Sequence, residues 1–371
     1  MRYIVFLGLA FILIGCRYNR CIPCEIKEIA KKQEMEKTDP KKKESTEYAL
    51  RKNKKLQVLR EQLNYTPLFE IWYHALENEH IRQLYVCEEM VFAETDSKRL
   101  FAFDRNSGIP QWIYTVGDSL DFKPVVYKDE IYLIGMAKLH IVDRATGNLL
   151  VKKAFDFIPS SPLCVTENYI YLGAWDNFLY TLERKKGDFE WRYRIDGHIL
   201  GTPVMMDGSL FFPGTDQRVY SINANHGSTS KEWSQEGRYE TLSPNVSGVV
   251  AQSDPPVVYF GSRDYNLYSL NRVTGILRWK FESGGEIEQS PYLLGKNIYV
   301  VSRKLKNDST LYALESGNGD MKWSVEHATS LFFIGKEYHW ILKNDQKLVA
   351  VKNEQPTMRK LFNVEIGRAH V

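Results

Sequence analysis

No stretch of this chain stays apolar for the roughly 20 residues that a membrane-spanning helix needs. The one long apolar run, the 13 residues from Tyr3 to Gly15, is about two thirds of that length, so a permanent helical anchor is not expected. The sequence also lacks the short motifs of common catalytic sites. There is no G-x-S-x-G, no P-loop and no H-E-x-x-H, which removes the usual routes to nucleophilic, nucleotide and zinc-hydrolytic chemistry. The eight histidines are scattered, and His74 and His80 have no acidic side chains set around them for a metal. Glu88-Glu89 reads as solvated charge at a strand entry. A strongly basic face is missing as well. The net charge is only +3. From Glu25 to Leu63 there are 12 Lys/Arg against 8 Asp/Glu, and Arg2, Arg17 and Arg20 add three cations, so the body from Asn64 onward carries −4. An acidic body argues against nucleic acid, whose phosphates need a basic surface.

What is present is apolar and aromatic. Hydrophobic residues make up 43% and aromatics 13%, against 26% charged. That composition supports a sizeable core and favours strands, because aromatic and β-branched side chains suit a pleated sheet. At the N-terminus, Met1-Arg2, the apolar run and Leu13-Ile14-Gly15-Cys16 together resemble a bacterial lipoprotein leader. The resemblance implies cleavage before Cys16 and a lipid on its thiol; two or three acyl chains anchor stably where one does not. Cys21 and Cys24 form a lone C-x-x-C without the further ligands zinc requires. They read as a small disulfide or idle thiols. Cys87 and Cys164 lie in apolar strand-like runs and are expected to be buried and inert. The Lys/Glu-rich segment up to Leu63 reads as a solvated spacer.

The strongest signal is internal repetition. A short apolar strand recurs at Leu100, Leu139, Leu179, Val219, Leu267, Leu311 and Leu348, at spacings of 39, 40, 40, 48, 44 and 37 residues. Eight residues after the anchor stands glycine in six copies: Gly108, Gly147, Gly187, Gly227, Gly275 and Gly319. Twelve residues after it stand Trp112, Trp191, Trp279 and Trp323, with Trp233 two residues late and Val151 and Lys360 in the remaining copies. Three residues before it stand Asp176, Asp216, Asp264, Asp308 and Asp345. Each copy then holds about four short strands. The glycine turns the chain, the tryptophan packs on a neighbouring sheet, and the aspartate caps a turn through backbone amides. A four-stranded sheet cannot bury both faces alone, so copies must stack around an axis.

This pattern resembles the PQQ-like β-propeller repeat, G-x-x-D-x-x-L-Y-A-L-x-x-x-T-G-x-x-x-W, most closely at Gly173 to Trp191 and Gly261 to Trp279. The expected fold is all-β: a β-propeller with seven blades written in the chain. Trp72, 40 residues before Trp112, marks an outer strand of an eighth blade whose inner strands are truncated. The expected organisation is a leader over 1–15, a lipidated Cys16 and tether over 16–63, and a propeller over 64–364. Residues 365–371, Glu365-Ile-Gly-Arg-Ala-His-Val371, read as a non-native scar, and the natural chain is expected to continue by roughly 25–40 residues.

The repeat family includes quinoprotein dehydrogenases, but no adjacent cysteine pair and no matching calcium ligand set can be placed here. The architecture of lipobox, spacer and repeats is similar to BamB-like lipoproteins. That resemblance implies a noncatalytic scaffold, without cofactor or metal, on the periplasmic side of the outer membrane. Its expected partners are envelope proteins, including a subunit of β-barrel assembly. A PQQ/Ca-dependent dehydrogenase and a cell-wall glycan or surface-ligand binder are the alternatives. Candidate contact residues are Trp175, Arg238, Tyr239, Arg263 and Tyr265, because exposed Trp, Tyr and Arg dominate interfaces; packing against neighbouring blades is the equal alternative for Trp175 and Tyr265.

Overall fold

A computed structural model describes residues 2–8, 69–76, 79–87, 89–305, 308–334, 338–343, 348–352 and 355–362. Cys16, Cys21, Cys24, the tether, Asp345 and the terminal heptapeptide lie outside the described residues. Two units are distinct. In one, Arg2–Gly8 pairs with Phe69–Leu76 as a two-stranded sheet. Trp72 is thus in a strand, as its spacing requires, but that strand belongs to no four-stranded sheet.

The larger unit contains seven four-stranded antiparallel sheets, each using four consecutive strands in chain order. The blades run in sequence. Blade one holds Ile81–Cys87, Met90–Thr95, Arg99–Asp104 and Pro110–Thr115. Blade two holds Val125–Tyr127, Glu130–Gly135, Lys138–Asp143 and Leu149–Ala154. Blade three holds Cys164–Val165, Tyr169–Gly173, Phe178–Glu183 and Phe189–Arg194. Blade four ends on Arg238–Glu240, blade five on Leu277–Glu282, blade six on Met321–Glu326 and blade seven on Gln355–Phe362. Strand formation follows from the alternation of large side chains. The two middle strands of blades one to five are buried on both faces, as in Ile131–Ile134 and Leu179–Leu182, while the fourth strand exposes every second residue, as in Phe189–Arg194.

Among the described residues, six apolar clusters join the seven sheets in succession, each built from two facing sheets. At four of these junctions the repeating tryptophan supplies the key contact. The Trp112 indole lies on the turn of blade two, where a β-carbon on Gly147 would come within 2.7 Å of the ring. Trp191 lies likewise on Gly227, Trp233 on Gly275 and Trp279 on Gly319. Each of these glycines has φ between +67° and +81°, so the position needs glycine for its backbone as well as for space. Each indole N–H donates to a carbonyl of the same turn: Trp112 to Arg144 at 2.8 Å, Trp191 to Asn225 at 2.8 Å, Trp233 to Arg272 at 2.8 Å and Trp279 to Ser316 at 3.1 Å. The polar tip of each ring is therefore satisfied. Trp233, two residues late in sequence, reaches the same place. The two extra residues lie before it, between Gly227 and Trp233, a short helical turn, Ser234–Gly237, follows it, and the residue is only 2% exposed.

Blade two has Val151 where the tryptophan is missing. Its junction with blade three is sealed by Phe155 stacked on Phe157 at 4.7 Å and Phe157 on Tyr180 at 3.7 Å. The neighbouring junction holds another departure. His140 takes the place of the usual aromatic after the anchor, fully buried and hydrogen-bonded through Nδ1 to the Tyr114 hydroxyl at 2.7 Å. Burial, and then Lys152 and Lys138, hold its pKa down at about 4, with Asp118 opposing.

Two outcomes follow for stability. Trp191→Ala should cost about 3–5 kcal/mol, and Gly227→Ala about 2 kcal/mol or more through overpacking and the left-handed backbone, both read from urea unfolding midpoints. His140 stays neutral in the fold while the unfolded chain protonates it below about 6.5. Stability is therefore lost as pH falls from about 6.5 to about 4, by at most about 1.4 kcal/mol per pH unit from this group. Unfolding midpoints at pH 7 and pH 5 should differ less in His140→Phe than in the parent.

Candidate binding face

The turns joining the second and third strands of each blade lie beside the connections that lead from blade to blade. Trp175 N–H donates to the Ile158 carbonyl at 3.0 Å, and its ring meets His198 edge-on at 5.0 Å. Arg218 pairs with Asp196 at 3.2 Å. Arg263 pairs with Glu288 at 2.6 Å and Glu286 at 3.8 Å. These segments form one face, and the sequence builds it by repetition.

The recurring aspartates fasten this face. Asp176 accepts from the Tyr180 hydroxyl at 2.6 Å and the Phe178 amide at 3.3 Å. Asp264 accepts from Tyr268 at 2.7 Å, from the Asn266 amide at 3.1 Å and from the Leu242 amide of the incoming connection at 3.1 Å. Asp216 repeats the arrangement with Tyr220 and the Asp196 amide. Burial, reinforced by the carboxylate acceptor, raises all three tyrosine pKa values, so the phenols remain donors. The aspartates act as turn clasps. Among the described residues no three His, Cys, Asp or Glu side chains converge as a metal site.

The residue after each clasp adopts a left-handed backbone: Asn177 at φ 70°, Gln217 at 68° and Tyr265 at 72°, with Lys98 and Ala137 at the matching turns of blades one and two. A bulky side chain is unfavourable there, yet Tyr265 keeps its ring 47% exposed. Trp175 is 51% exposed at the tip of its turn. Met136, Ile158 and Leu242 add exposed apolar side chains to the same face.

The five candidate contact residues do not form one cluster. Trp175, Arg263 and Tyr265 occupy equivalent turns of blades three and five, with the Thr215–Gln217 turn of blade four between them. Arg238 and Tyr239 lie on the outer strand of blade four. Arg238 pairs with Glu236 at 3.5 Å. Tyr239 packs edge-on against Phe260 at 6.2 Å and Tyr268 at 5.7 Å, so it serves the junction between blades four and five as Tyr193 serves the preceding one. Cys87 is buried and donates to the Pro124 carbonyl at 3.4 Å. Burial raises the Cys164 thiol to about 11, leaving it protonated and a poor nucleophile.

One set of residues escaped the sequence reading. Five positions after the anchor stand Arg144, Arg184 and Arg272, on the opposite face. Arg184 binds Glu130 of the preceding blade and the Tyr132 hydroxyl at 3.0 Å. Arg272 binds Asp207 at 2.5 Å. Arg144 reaches Glu89 at 3.6 Å. The carbonyls of Arg144 and Arg272 also receive the indoles of Trp112 and Trp233, so each grips the previous blade twice. A constant offset of five was the available signal.

Known proteins share these features. Residues 69–157, 151–253 and 230–353 match the family described as outer membrane protein assembly factor BamB. A curated relative of that name from Legionella pneumophila (strain Paris) is 24% identical over 189 residues, 47% of this chain and 46% of the relative; the chain thus matches about half the length of that protein. The crystal structure of BamB from Moraxella catarrhalis superposes with a TM-score of 0.58 at 18% identity, covering 76% of this chain and 88% of that one. A computationally designed protein, Ika8, superposes with a TM-score of 0.61 at 14% identity, covering 77% and 87%. Both share the fold.

Tyr265→Asn should relieve the left-handed strain and raise stability by about 1 kcal/mol, measured by thermal unfolding.

With matched segments running from residue 69 to residue 353 across all seven four-stranded sheets, the chain belongs to the BamB family of PQQ-repeat β-propellers.

Proposed function

We propose that the protein is a noncatalytic lipoprotein scaffold of the bacterial envelope, anchored through Cys16 to the outer membrane, facing the periplasm and serving outer-membrane protein assembly. Family membership and the likeness to an assembly factor support this reading. The observation that carries it is the pair of exposed aromatic rings, Trp175 and Tyr265, held on clasped turns of one face. Tyrosine and tryptophan bury large area with few rotors to freeze, which suits them to protein contacts. A left-handed tyrosine costs stability that a simple turn would not incur, as expected where function retains the ring.

The arginines and aspartates of these turns form ion pairs and turn clasps, an arrangement that holds shape. The partner is proposed to be an envelope protein of β-barrel assembly.

Photo-crosslinking from position 175 in native envelopes tests the reading. Capture of a β-barrel assembly subunit is expected, with Tyr265→Asn lowering the yield several-fold while the protein stays folded. Only monomer from position 175, with the chain correctly localised, would contradict it.

A further inference from the structure

Blade two departs from the repeat along its whole outer strand. In four other blades the ladder to the third strand skips one residue of the fourth, and that bulged residue is polar: Gln111, Glu190, Arg278 and Lys322. In blade two the skipped residue is Leu150, 52% exposed. The next position loses its tryptophan to Val151. Two residues further, Tyr114, Tyr193 and Phe281 wedge into the next sheet, but blade two has the exposed Lys153. The junction with blade three is sealed by the Phe155, Phe157 and Tyr180 stack instead. Val151 still packs on the core between blades two and three, but the rest of this strand is released from the packing role that fixes its sequence elsewhere.

The released strand adjoins the outer strand of blade three, to whose turn Lys153 is tied through Asp188 at 2.7 Å. Together the two strands expose Lys152, Lys153, Arg192 and Arg194 against Glu190, with Asp188 of the adjoining turn engaging Lys153, on a body that carries −4. Leu149, Leu150 and Phe189 are exposed among these cations. Lysines on an edge strand discourage strand addition, but edge protection does not call for a leucine at the bulge.

We propose that this edge rests on an anionic membrane surface, with the leucines and Phe189 entering the interfacial layer and the cations facing lipid phosphates. A lipid interface rewards one sign of charge mixed with aliphatic surface and demands no fixed hydrogen-bond geometry. The tether, itself +4 over residues 25–63, has the same preference. The inference rests on the proposed lipid anchor, which would keep the body close to the bilayer.

The test is hydrogen exchange of the full chain on phosphatidylcholine and phosphatidylglycerol vesicles, with flotation run in parallel. Exchange over 149–154 and 185–194 should slow on phosphatidylglycerol only, and the protection should fade near about 0.5 M salt as surface charge is screened. Lys152→Gln and Lys153→Gln should each shift the docked fraction about fivefold, and Leu150→Gln, the residue blade one carries at its bulge, should weaken docking with the unfolding midpoint retained. Equal exchange on the two lipids overturns the proposal even if the chain floats with neutral vesicles. Failure to float with neutral vesicles, with protection kept on the anionic ones, sinks the anchor and leaves the edge. Protection found in native envelopes but not on pure anionic lipid assigns the edge to an acidic protein and also overturns the proposal.

Discussion

A tryptophan laid on the glycine turn of the next blade is the contact on which the rest of this protein depends. It solves two problems together. The ring covers a backbone turn that no side chain could otherwise approach, and the turn's carbonyl takes the indole proton that burial would leave unpaired. Glycine is required for its left-handed backbone and for the missing β-carbon. Because each sheet leans on the next, stability is close to a sum of neighbouring junctions. The arginines after the anchor add a second grip at the same turn, using an acidic residue of the preceding blade.

Once the junctions are fixed, the turns are free to vary. The aspartate clasps hold the turn backbone without constraining its tip, so Trp175 and Tyr265 can stand out from a rigid frame. The same freedom exists wherever a junction is sealed by other means. Between blades two and three the phenylalanine stack does so, and the outer strand of blade two has diverged into leucines and lysines. Loss of a structural duty and gain of an exposed character coincide at that one strand.

Much of this was legible in sequence because the repeat sets constant offsets. The glycine and tryptophan positions, the aspartate turns and the strand order could be written from spacing alone. Trp233 looked misplaced because two extra residues precede it, yet its ring still reaches the Gly275 turn. For the same reason Tyr239 read as a free aromatic, although it fills the wedge position of blade four. The arginines recur at a constant offset, but their acidic partners could not be read because each lies on another blade about 55 to 65 residues away. Burial of His140 could not be read from one copy in which tyrosine had been replaced. Trp175 stood out because the repeat requires no aromatic in that turn, but sequence alone left packing against a neighbouring blade equally open.

The most direct measurement of the docking principle is a double-mutant cycle between Trp279 and Gly319. The two are in contact, so their effects should not add. Removing the ring with Trp279→Ala should erase most of the steric cost of Gly319→Ala, leaving only the backbone strain and a coupling of about 1 kcal/mol or more. Strictly additive unfolding energies would contradict the claim that this ring and this glycine form the joint between blades.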